Sequence, residues 1–159
     1  MKNKKGLLIA QSALIGAIYV VVTMVFAPFG FGGIQVRISE ALTILPFFTP
    51  AAIPGLFVGC LIANLLAGAI PADVIFGSLA TLVGAVGSYA LRRRMWLVPL
   101  PPIAANTLVV PLVLYYGYGE NLPIWLMRLT VGAGEILSCG VLGMALLFAL
   151  RRYQNQIFE

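Results

Sequence analysis

Long apolar runs, joined by short stretches of glycine, proline and charge, set the pattern of this chain. Residues 7–27 follow Lys2, Lys4 and Lys5 and are long enough, at about 1.5 Å per residue, to cross about 30 Å of hydrocarbon. A basic start before an apolar run also has the form of a signal peptide. This run exceeds the usual length of one, and no small-x-small cleavage site precedes Pro28, so it reads as a retained first span. Residues 28–38, Pro-Phe-Gly-Phe-Gly-Gly-Ile-Gln-Val-Arg-Ile, form a glycine-rich connector that would serve equally as a plain joint or as a lid. Residues 39–50 are apolar but short, with Ser39 placed to cap a helix start and Pro46 placed to kink it. The run 51–70 carries Gly55, Gly59, Ala63 and Ala67 at four-residue spacing, a stripe that lets a neighbouring helix approach closely. The run 74–91 repeats the device with Ala80, Gly84 and Ser88, the run 97–118 is punctuated by Pro99, Pro101, Pro102 and Pro111, and the last covers 123–150.

Composition turns this pattern into a class. With 61% hydrophobic and 9% charged residues in 159 and a mean hydropathy of +1.02, the chain is expected to be an all-α integral membrane protein, a single domain over residues 1–159. The formal charge of +5 sits in three clusters, Lys2/Lys4/Lys5, Arg92/Arg93/Arg94 and Arg151/Arg152. Such clusters flank membrane spans, so the bilayer and not nucleic acid is the implied partner. The sequence contains no histidine, which removes histidine-based general-base catalysis and metal ligation. Cys60 and Cys139 lie in apolar runs without CxxC spacing and read as small packing residues. No phosphate-loop motif is present, and neither a cofactor nor a metal site is expected.

The basic clusters also orient the chain. All three belong on the cytoplasmic side, so both termini are cytoplasmic and an even number of crossings separates Lys5 from Arg92, and Arg94 from Arg151. Residues 39–70 then leave the outer face and return to it, as two full crossings or as a re-entrant hairpin. The expectation is a six-transmembrane-helix bundle with spans 7–27, 39–50, 51–70, 74–91, 97–118 and 123–150.

In that orientation the polar residues gather toward the outer half. On the last helix Trp125, Arg128, Gly132, Glu135 and Cys139 fall on one face by spacing, and on the short second segment Glu40, Thr43 and Phe47 do so. A carboxylate within the membrane is costly unless paired or hydrated, so Glu135 marks either a site or an internal pair with Arg128 or Arg37. Asn64 and Asn106 serve either as helix-to-helix hydrogen bonds or as ligand contacts. The candidate substrate-binding set is therefore Arg37, Glu40, Asn64, Asn106, Arg128 and Glu135, with no catalytic residue among them. Carboxylates and amides among aromatic rings suit a small flat heterocycle with N–H donors. On the first span Ala13 and Ala17 form a small-xxx-small step fitted to a close helix contact.

These residues also carry a resemblance. The segments Arg37-Ile38-Ser39-Glu40-Ala41-Leu42-Thr43, Leu45 to Phe57, Gly59 to Asn64 and Asp73 to Thr81 resemble the QueT family of queuosine-precursor transporters, the substrate-binding (S) components of energy-coupling factor (ECF) transporters. The resemblance implies a six-helix S component in a bacterial cell membrane. It would capture a 7-deazaguanine such as preQ1 or queuine outside the cell and work with a transmembrane coupling subunit and two ABC-type ATPases. It further implies that Ala13 and Ala17 face the coupling subunit. Two alternatives stand beside it: an S component for another vitamin, and a stand-alone proton-coupled carrier using Glu135 as relay.

Overall fold

The computed structural model describes residues 4–30 and 36–158, and all secondary structure among them is helical. Among the described residues four helices are long and apolar enough to cross a membrane: Lys4–Val25, Pro71–Ala90, Met95–Tyr116 and Ile124–Arg151. Two shorter apolar helices, Ile38–Phe47 and Ala52–Leu66, pack among them. In chain order the elements are α1 (Lys4–Val25), the turn α2 (Ala27–Gly30), a 3-10 helix (Ile38–Phe47), α3 (Ala52–Leu66), α4 (Pro71–Ala90), α5 (Leu100–Tyr116) and α6 (Ile124–Glu135). A π-helical stretch (Ile136–Leu142) joins α6 to α7 (Gly143–Arg151), and α8 (Gln154–Ile157) follows. Part of the glycine-rich connector, residues 31–35, lies outside the described residues.

The segment expected at 39–50 is not an α-helix capped by Ser39. It is a ten-residue 3-10 helix with Arg37 at the cap position and no side-chain cap bond. At about 2.0 Å per residue it reaches about 20 Å, against about 15 Å as an α-helix. Its repeat of three stacks Glu40, Thr43 and Pro46 on one buried face, whereas Phe47, expected there from α-helical spacing, lies half-buried beside it. The Ser39 hydroxyl accepts from Thr23 near the end of α1 (2.8 Å), and the Thr49 hydroxyl donates to Gln11 near its start (3.0 Å). The 3-10 helix therefore runs antiparallel to α1 over most of its length.

Close packing follows the small residues. A Cβ at Gly55 would meet the Ser12 carbonyl at 2.6 Å, and one at Gly59 the Gly16 carbonyl at 2.9 Å, so α1 and α3 touch backbone to backbone. Between α4 and α5 the prolines themselves fill the gap, with Pro102 Cα 2.7 Å from an ideal Cβ at Gly84. Helix α3 is shorter than the run 51–70 because Gly68, at φ +72°, adopts the left-handed conformation that ends helices and favours glycine. Helix α4 starts at Pro71, earlier than the expected 74, since proline fits a first helical turn. At the end of the bundle near Gln11, Phe48 stacks on Phe158 and Arg151 reaches Met95, which brings Lys4 and Lys5, the Arg92/Arg93/Arg94 cluster and the Arg151/Arg152 cluster to one end.

The α1–α3 contact has a direct test. Gly55→Ala should destabilise the bundle by about 1–3 kcal/mol through overpacking, read as a lower unfolding temperature in detergent. Gly140→Ala, whose Cβ would meet its nearest neighbour at an ordinary 3.7 Å, should be close to neutral.

Candidate functional site

The centre of the bundle brings together two buried carboxyls from different elements. Glu40 of the 3-10 helix is 1% exposed and Glu135, at the end of α6, 3%. Burying either in an apolar bundle is costly unless its oxygens are hydrogen-bonded, and the fold supplies the donors. The Tyr19 hydroxyl of α1 donates to Glu40 Oε1 (2.5 Å), and Asn106 Nδ2 of α5 donates to Glu40 Oε2 (3.3 Å). The Cys139 thiol donates to Glu135 Oε2 (3.2 Å), and the Thr43 hydroxyl, 3.4 Å from that sulfur, donates to the Glu40 backbone carbonyl (2.6 Å). Four elements thus meet at one polar centre. It sits beside Tyr19, fifteen residues beyond Lys4, so about 22 Å along α1 from the basic end.

The winding of the last helix helps to build this centre. Its buried stripe is Met127, Val131 and Glu135 at four-residue steps, continued by Cys139. Trp125 and Arg128, expected on that face, sit one ridge away and are exposed. Glu135 therefore meets the Cys139 thiol, and Arg128 stands away from the centre. Metal-ligating atoms of Glu40, Glu135 and Cys139 lie within 4.8 Å of one another. Two hard carboxylates and one soft thiol are one ligand short of a closed tetrahedral site, and the hydrogen bonds above already engage all three. The arrangement is a set of acceptors and neutral donors contributed by several elements.

A second cluster lies toward the far end. Arg37 Nη2 is 3.7 Å from Asp73 Oδ2, and the Tyr118 hydroxyl donates to the same oxygen (3.0 Å) while accepting from the Ile70 N–H (3.4 Å). Partial burial, with the Asp73 charge beside it, pushes the Tyr118 hydroxyl above the ordinary tyrosine range, so it stays a donor at neutral pH. Asn64 Nδ2 donates to the Asp73 carbonyl (3.4 Å) and approaches Cys60 Sγ (3.7 Å), a bond between α3 and α4. Of the six expected residues, Glu40, Asn106 and Glu135 are brought together, Arg37 and Asn64 join the second cluster, and Arg128 joins neither. Ala13 and Ala17 are exposed on a shallow apolar groove with Val58 and Ile62. Both cysteines are buried and unbridged.

Tyr19 was not among the expected residues, although a signal existed. Ser12, Gly16, Tyr19 and Thr23 follow steps of four, three and four along the first run, a polar and small stripe on one helical face, and a tyrosine hydroxyl inside a bundle needs a partner. Asp73 was missed because its place after a proline reads as a solvated helix start.

Fold and site together define the class: an all-helical protein with helices long and apolar enough to cross a membrane and a polar centre buried among them. Residues 9–152 match the family described as QueT transporter; the chain belongs to that family, whose members are transporters and not enzymes. The queuosine precursor transporter QueT of Lactococcus lactis subsp. cremoris (strain MG1363) is 39% identical to it over 85 residues, which is 52% of this chain and 50% of that protein. The chain thus spans about half the length of the curated relative it matches. No solved structure matches it.

The Tyr19–Glu40 bond is open to a direct check. Tyr19→Phe leaves a buried carboxyl oxygen without a donor and should lower stability by about 1–3 kcal/mol, measured by unfolding in detergent. In a Glu40→Gln background the same substitution should have a smaller effect, because the coupled partner has already changed.

Proposed function

We propose that this chain is the substrate-binding subunit of an energy-coupling factor transporter in a bacterial cell membrane, capturing a 7-deazaguanine such as preQ1 or queuine on the outer side. In this reading the bundle crosses the membrane six times, with the 3-10 helix and α3 forming the second and third crossings and both termini in the cytoplasm. The gathering of the basic clusters at one end supports that orientation through the positive-inside rule. The substrate reading follows the family and the name of the Lactococcus relative.

The observation that carries the proposal is the convergence of Glu40, Glu135 and Asn106 in the interior, away from the basic end. A deazaguanine offers ring N–H and exocyclic amino donors, which carboxylates accept, and an acceptor edge, which an amide N–H satisfies. Tyr19 and Cys139 already hold the two carboxyls in place, and preorganised acceptors lose less on binding than mobile ones. Arg37 and Asn64 would bound the outer side of the site. The sequence carries no phosphate loop, so ATP would be hydrolysed on two partner ATPases, coupled through a transmembrane partner. The exposed Ala13 and Ala17 of α1 fit that partner's helix, since small residues permit close approach.

Calorimetry on the purified chain tests this. Tight binding of preQ1 or queuine is expected, weakened about tenfold or more by Glu40→Gln or Glu135→Gln in protein that remains folded. Binding of a B vitamin with no affinity for any deazaguanine would keep the S-component reading and overturn the substrate. Uptake into proteoliposomes without an ATPase partner would overturn the subunit role in favour of a proton-coupled carrier.

A further inference from the structure

The central site uses Glu40 and Glu135 but leaves a third buried carboxylate unexplained. Asp73 stands in the first turn of α4, where an acidic side chain ordinarily remains in water beside the free N–H groups. Here it turns inward, with 5% exposure, and no side chain caps the start of its helix. Arg37 and Tyr118 share Oδ2, while Oδ1 is buried with no hydrogen-bond partner. An unsatisfied buried acceptor is destabilising. Tying Arg37 and Tyr118 together does not call for that cost, because one oxygen serves both.

The surroundings of Oδ1 point to a ligand. One turn along α4, an ideal Cβ at Gly77 would lie 2.9 Å from Asp73 Oδ1 and 3.2 Å from Asn64 Nδ2. Glycine at this position keeps a notch in which a carboxylate oxygen and an amide stand side by side. The same face continues to Thr81, whose hydroxyl lies 3.4 Å from Cys60 Sγ and neighbours Glu40. Asp73 and Thr81 are eight residues apart, about 12 Å along the helix, so the notch and the central carboxyls stand at two ends of one polar path.

Resting on the transport reading above, we infer that Asp73, with Asn64, is a further substrate-binding site that accepts an N–H donor from one end of a heterocycle whose other end engages Glu40 and Glu135. A 7-deazaguanine with an aminomethyl arm has two such ends: the ring edge with its N–H and exocyclic amino group, and the ammonium of the arm. Arg37 and Tyr118 keep Oδ2, and the ligand donor takes Oδ1.

The test crosses protein variants with ligand deletions on the full chain in detergent. Three ligands are titrated by calorimetry: preQ1 (7-aminomethyl-7-deazaguanine), its analogue lacking the 2-amino group, and 7-deazaguanine lacking the arm. The unaltered chain should lose about tenfold or more with each deletion. Asp73→Asn should bind preQ1 more weakly, and one of the two deletions should then have no further effect while the other keeps its full effect, the signature of a direct contact. Gly77→Ala, which presses on Oδ1 but keeps the charge, should show the same one-sided pattern and serves if Asp73→Asn does not fold. Unchanged preQ1 binding in both variants, or equal weakening of all three ligands, would overturn the inference and leave Asp73 as a support for Arg37 and Tyr118. An unaltered chain that binds none of the three would overturn the 7-deazaguanine substrate reading and this inference together.

Discussion

The structure depends on keeping the Glu40 carboxyl inside an apolar bundle. An ionisable group at that depth is tolerated only where donors meet its oxygens, and here they come from two other helices, Tyr19 on α1 and Asn106 on α5. Those two bonds fix the 3-10 helix between its neighbours, set which face of α1 points inward and place α5 against the centre. Glu135 and Cys139 then complete the centre from the last helix. A site built from four elements is held by the packing of the whole bundle, which is how a binding constellation gains precision.

Backbone devices make that convergence possible. Glycines at 16, 55 and 59 let α1 and α3 pack with no room for a Cβ between their backbones, along the stretch of α1 that leads to Tyr19. The 3-10 winding lengthens a segment too short to traverse the bundle as an α-helix and aligns Glu40 with Thr43. The π-helical stretch follows Glu135 directly, and such stretches are frequent at functional sites. A regular α-helix at the first of these places would have set Phe47, not Pro46, on the face that carries Glu40 and Thr43.

Much of this was legible in the sequence. The apolar runs indicated the helical class and the approximate helix positions; the cost of an intramembrane carboxylate singled out Glu135, and Glu40 and Asn106 stood beside it as candidates before their contacts were known. The stripe from Gly55 to Ala63 foretold a close helix contact, although not that α1 would fill it. What was not legible was non-α winding. Spacing arguments assume 3.6 residues per turn, so they placed Phe47 on the face that Pro46 occupies. On the last helix, α-helical through Glu135, the inward stripe runs through Met127 and Val131 and not Arg128, a choice between neighbouring ridges that only tertiary packing makes. Tyr19 and Asp73 escaped because their partners lie far off in sequence, and only tertiary packing gives a hydroxyl or a helix-start carboxylate an inward role.

The central claim is that Glu40, Asn106 and Glu135 are where this transporter holds its solute. An experimental structure with preQ1 bound tests it most directly. The account predicts the ligand among these three side chains, with its N–H donors within hydrogen-bonding distance of the two carboxyls. A ligand seated elsewhere, with the Tyr19–Glu40 and Asn106–Glu40 bonds intact, would contradict it and reduce the polar centre to a structural fastening.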